Sequence, residues 1–134
     1  GRGPGWAIAN EVALKFKEVT QIHAESYSSA EVLHGPVSLV APGFPVLVLA
    51  AEDAAEPGLR ETAATLAGKG AACFLTGAVD DDGPVPLRRV RTGHPLTDPL
   101  ALVVSAYAMV ERLATERGID PDRPRHLAKV TETR

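Results

Sequence analysis

Ile8, Val12, Phe16, Val19 and Ile22 recur at helical spacing, which predicts a first helix from Trp6 to about Ile22. A short second helix fits Ser28 to about Leu33, with Ser28 or Ser29 as its cap and Glu31 in its first turn. His34-Gly35-Pro36 stops it. Pro45 to Ala50 (PVLVLA) is apolar without alternation, the pattern of a strand buried on both faces of a parallel sheet. Glu56 to Lys69 reads as a helix and Ala71 to Thr76 (AACFLT) as a second buried strand. Asp80-Asp81-Asp82-Gly83-Pro84 reads as a turn, and Leu87 to Arg91 as a short outer strand. Leu96 to Arg117 is a long Ala/Leu/Val-rich helix, with Gly118 placed to cap its C-terminus. Strands alternating with helices predict an α/β fold, a three-layer sandwich with a parallel sheet flanked by helices. Ligands in such folds bind at the carboxyl ends of the strands, often against helix N-termini.

Composition narrows the class. The 134 residues are 45% hydrophobic and 23% charged, a soft indication of one domain with a real core. A net charge of -3 and an aromatic content of 4% argue against a nucleic-acid platform. Cys73, the only cysteine, can form neither an internal disulfide nor a cysteine zinc cage, so the expected compartment is reducing and cytoplasmic. No signal-peptide pattern occurs, and no stretch approaches the roughly 18 apolar residues of a membrane span. Gly1-Arg2-Gly3-Pro4-Gly5 opens the chain as a glycine-rich turn, and such turns join two elements. A first strand of the sheet is therefore expected upstream of this chain.

Candidate chemistry concentrates on the first helix. Glu11, Lys15 and Glu18 stand at i, i+4 and i+7, within about 60° of one another at about 100° per residue. This stripe is either a solvated face with a supporting Glu11–Lys15 pair, or a pocket cluster in which Lys15 tunes a carboxylate base. Lys17 lies off the stripe. His23 is placed to cap the first helix through its dipole. His34 sits on a rigid turn that suits proton transfer, although a structural role fits it too. His94 and His126 look like loop residues, and no two histidines have metal-ligand spacing. Ser26-Tyr27-Ser28-Ser29 suits an N-cap better than a phosphate site. Cys73 fits an inert core position, and Lys129 alone reads as an exposed tail lysine.

Several segments together resemble the sugar isomerase (SIS) family. They are Gly1-Arg2-Gly3, the helix Ala9-Asn10-Glu11-Val12-Ala13-Leu14-Lys15-Phe16-Lys17-Glu18, Ile22-His23-Ala24-Glu25-Ser26-Tyr27 and Ala30-Glu31-Val32-Leu33-His34-Gly35-Pro36. The tail Asp122-Arg123-Pro124-Arg125-His126-Leu127-Ala128-Lys129-Val130-Thr131-Glu132 is similar as well. Within the family, the chain most resembles the second SIS domain of the isomerase part of glutamine–fructose-6-phosphate aminotransferases and its stand-alone relatives. The resemblance implies that residues 1–134 form one second, C-terminal SIS domain. Its reaction would interconvert ketose and aldose or aminosugar 6-phosphates without a metal or organic cofactor.

By motif, Glu18 matches the base that moves a proton between C1 and C2, with Glu11 and Lys15 as its companions. His34 matches the ring-opening histidine, which in the family reaches into a neighbouring subunit's site. Lys129 matches the tail lysine that forms a Schiff base with an open-chain ketose. The family's phosphate loop belongs to a first SIS domain, so the expected partners are that domain, a second copy in a homodimer and a sugar 6-phosphate. On this basis the chain is about half of an enzyme. Leu33 and Asn10 depart from the aminotransferase pattern and lean towards stand-alone isomerases and aminosugar-phosphate deaminases. The alternative is a SIS module that senses a sugar phosphate or mediates dimerisation without turnover. Glu11, Lys15, Glu18, His34 and Lys129 argue against it, because sensing needs neither a base nor a Schiff-base lysine.

Overall fold

A computed structural model describes residues 1–78 and 83–127. Its regular elements are α1 (Pro4–Lys15), continued by a π turn (Phe16–Thr20), then β1 (Pro45–Val48), α2 (Glu56–Gly68), β2 (Ala72–Thr76), β3 (Val85–Leu87) and α3 (Asp98–Glu116). Two short 3-10 turns, Val32–His34 and Pro36–Leu39, lie between the π turn and β1. The strands form one parallel sheet in the order β1-β2-β3. Val46 stands opposite Cys73, and Leu75 stands between Val48 and Pro86.

The unbroken apolar run after Pro45 is explained by what covers each face. Successive strand residues point to opposite sides. Val46 and Val48 join Leu59, Ala63, Cys73 and Leu75 in a core beneath α2. Leu47 and Leu49 join Val12, Leu102 and Ala106 beneath α1 and α3. The expected three-layer α/β sandwich is therefore present, with α2 on one face and α1 with α3 on the other. Each fully buried leucine, such as Leu59 or Leu75, contributes about 1.5–3 kcal/mol by leaving water.

Several boundaries differ from expectation, and three of them have a distinct physical reason. The first helix ends at Thr20, not Ile22, because its last turn widens: the Gln21 N–H reaches back to the Phe16 carbonyl, and Gln21 takes left-handed φ of 57°. The short second helix is only a turn. Ser28 and Glu31 do cap each other reciprocally, Glu31 N–H donating to Ser28 Oγ at 3.3 Å and Ser28 N–H to Glu31 Oε2 at 3.4 Å. Gly35 and Pro36 then break the chain direction before an α-helix can grow. The outer strand is Val85–Leu87 and not Leu87 to Arg91. Pro86 is tolerated there because β3 is an edge strand. The aspartates of the turn at Asp80-Asp81-Asp82 lie outside the described residues. Gly118 caps α3 as expected. At φ 71° it lets its own N–H reach Thr115 and the Ile119 N–H reach Ala114.

Candidate functional site

The helical spacing of Glu11, Lys15 and Glu18 survives the change from α1 to the π turn. Lys15 Nζ donates to Glu18 Oε2 at 2.6 Å and lies 3.6 Å from Glu11 Oε1. The three side chains are 35%, 31% and 29% exposed in chain order, so the stripe is neither fully solvated nor buried. The Glu18 hydrogen bond raises the Lys15 pKa above its ordinary value; burial opposes this, and the charges of Glu18 and Glu11 add to it. Lys15 is therefore a fixed cation. It occupies one oxygen of Glu18, while Oε1 accepts no hydrogen bond among the described residues. A carboxylate held by one oxygen, with the other available, can take up and return a proton.

Tyr107 joins the group from α3, a residue that sequence reasoning missed. Its hydroxyl donates to Glu11 Oε1 at 2.6 Å across 96 residues of sequence. That hydrogen bond raises the Tyr107 pKa, keeping the hydroxyl a neutral donor. A shallow notch of about 140 Å³ opens beside Lys15 and Tyr107, lined also by Val19, Val110, Glu111 and Pro121. The only sequence signal for Tyr107 was a polar-tipped ring on an Ala/Leu/Val-rich helix.

The other candidates are placed as follows. His34 is exposed at the end of the Val32–His34 turn. No hydrogen bond or ion pair links it to Glu11, Lys15 or Glu18 among the described residues. Lys129 lies outside the described residues. His23 does not cap the first helix, which ends three residues earlier; its ring is 81% exposed and 3.7 Å from Glu25. Ser26 donates to Asn10, and Ser28 serves the capping pair, so both hydroxyls have internal partners. Cys73 is buried, and burial pushes its thiol up to about 11, consistent with an inert core position.

The carboxyl ends of β1 and β2 are tied by side chains. Buried Thr76 accepts from the Ala50 N–H at 2.8 Å and donates to the Ala50 carbonyl at 2.9 Å. Arg89 Nη1 reaches that carbonyl at 3.2 Å and Glu56 at 3.1 Å, and Arg60 meets the same Glu56 oxygen at 2.8 Å. Among the described residues, no cluster of His, Cys, Asp or Glu is arranged to hold a metal ion, and no helix is long and apolar enough to cross a membrane.

Comparison with known proteins follows this geometry. The SIS domain model matches residues 1–82. Glutamine–fructose-6-phosphate aminotransferase [isomerizing] of Aeropyrum pernix is 41% identical over 135 residues, covering 96% of this chain and 22% of its own. A solved structure from Silicibacter pomeroyi DSS-3, provisionally assigned as a phosphosugar isomerase, superposes with a TM-score of 0.83 at 63% identity. That match covers 91% of this chain and 37% of the other. The C-terminal domain of glucosamine-fructose-6-phosphate aminotransferase from Francisella tularensis superposes with a TM-score of 0.80 at 28% identity, covering 90% and 35%. The chain thus spans 22% of the length of the curated relative and little over a third of each solved chain. With the family model matching more than half of its residues, the chain belongs to the SIS domain family.

Proposed function

We propose that residues 1–134 form the second, C-terminal SIS domain of a phosphosugar isomerase or aminosugar-6-phosphate deaminase-type enzyme. The observation that carries this reading is the 2.6 Å contact between Lys15 Nζ and Glu18 Oε2, which leaves Glu18 Oε1 available. The names of the Aeropyrum relative and the Silicibacter neighbour support the substrate class, a ketose or aldose 6-phosphate.

In the proposed reaction, Glu18 takes a proton from C1 of the open-chain ketose as the C2 carbonyl becomes an enediol. It returns that proton to C2 as the C1 carbonyl forms, while the hydroxyl proton passes from O1 to O2. Lys15 fixes the Glu18 carboxylate through Oε2 before the transfer and offsets its charge once the proton has been handed on. Glu11 shares the cation and fixes its position. His34, exposed and outside this cluster, is assigned to ring opening in a neighbouring subunit of a homodimer. Lys129 is assigned to a Schiff base with the open-chain ketose, and a first SIS domain to the main phosphate site.

The test is solvent-proton exchange at C1 of fructose 6-phosphate, followed in the full-length protein and its Glu18→Gln variant. Exchange should fall by about 10²-fold or more, with substrate binding retained. Exchange at the wild-type rate in the variant overturns the assignment.

A further inference from the structure

We infer that Tyr107 is a positioning residue for this site: through Glu11 it sets how much of the Lys15 cation is left to Glu18. The inference rests on the reading of Glu18 as the base, but its geometry is its own. Tyr107 Oη, Glu11 Oε1, Lys15 Nζ and Glu18 Oε2 form one chain, with successive separations of 2.6, 3.6 and 2.6 Å. Tyr107 and Lys15 thus meet the same Glu11 oxygen, and Lys15 stands between two carboxylates. It lies a full ångström nearer to Glu18, and the hydroxyl that already occupies Glu11 Oε1 accounts for this bias. A carboxylate satisfied by a neutral donor competes less for an ammonium than a bare one.

The charged neighbours on every element packed here are few. Glu11, Lys15 and Glu18 come from α1 and the π turn, and Glu111, from α3, lines the notch. Arg117, just past the end of α3, is turned to the Thr20 carbonyl. Removing the tyrosine hydroxyl leaves Glu11 to draw Lys15 towards itself. Glu18 then loses part of the cation that holds its Oε2. Tyr107 is 43% exposed, so deleting one oxygen opens no core cavity.

The experiment is Tyr107→Phe in the full-length protein, with kcat and KM measured on fructose 6-phosphate alongside thermal stability. The expected result is a roughly three- to tenfold fall in kcat, the worth of one hydrogen bond. KM should stay within about twofold, so that the loss falls on kcat and not on binding. In a Glu11→Gln background the same substitution should add nothing further, since the hydroxyl acts only through that carboxylate. A loss of thermal stability with kcat and KM unmoved overturns the inference, as do additive effects in the double variant. If Glu18→Gln abolishes exchange while Tyr107→Phe is kinetically wild type, this inference alone fails. If Glu18→Gln exchanges normally, the reading of the base fails and this inference with it.

Discussion

The Arg117 guanidinium, just past the end of α3, donates through Nε to the carbonyl of Thr20 at 3.3 Å, fastening the end of the last helix to the π turn that carries Glu18. Thr20 is fully buried, and its hydroxyl donates to Phe16 at 2.6 Å and accepts from the Ile22 N–H at 3.3 Å. Thr20→Val keeps the shape and removes both bonds. We expect a loss of about 1–2 kcal/mol in urea unfolding. An unchanged midpoint counts against the hydroxyl as the clasp of this turn.

Glu56 supplies a pH-dependent contribution. Burial raises its pKa, but hydrogen bonds from Arg89 and Arg60 outweigh that and hold the carboxyl below 4.5 on balance. In acid the unfolded chain takes up the proton first, so this stabilisation is complete above about 4.5 and drains away as pH falls through the folded value. Glu56→Gln should cost about 2–3 kcal/mol at neutral pH, since Arg89 loses its charged partner. The gap between variant and wild type should narrow on acidification. Parallel stability curves down to strongly acid pH would exclude the linkage.

Gly77 is the position where the arginine clasp depends on a missing side chain. Its φ is 74°, and a Cβ there would stand 2.8 Å from Arg89 Cζ. Gly77→Ala should cost about 2 kcal/mol or more, combining left-handed strain with displacement of the guanidinium. In an Arg89→Ala background the displacement is gone, and only the strain should remain. Equal costs in both backgrounds would remove Arg89 from the explanation.

These residues also show what the sequence makes visible and what it conceals. The buried strands were legible because PVLVLA and AACFLT admit no solvated face, and α3 because its apolar pattern runs through five turns before Gly118. The Glu11–Lys15–Glu18 group was legible because helical spacing alone brings the side chains together. The π turn was not, since it arises from one hydroxyl and one left-handed residue. The Ser28–Glu31 pair carries a helix-start signal that the following Gly35-Pro36 cuts short, so the predicted length was too great. The outer strand was placed too late, at Leu87 to Arg91 and not Val85–Leu87, because a proline argues against a strand unless the strand is known to be an edge. Tyr107 was hidden because its contact with Glu11 depends on how α3 lies against α1, and no local spacing encodes that.

The packing of α1 on α3 fixes an order of events during synthesis. β1, α2 and β2 are neighbours along the chain and can condense as soon as they emerge. α1 emerges before them, yet the partners of Val12 include Leu102 and Ala106, which come much later. Until α3 has been made, the sheet face bearing Leu47 and Leu49 has only α1 to cover it, and Glu11 has no Tyr107. The Tyr107–Glu11 contact therefore forms last, although the carboxylate–lysine group itself lies on the first helix to emerge. A ribosome stalled before α3 would present a half-covered sheet, an apolar surface open to chaperones or to aggregation.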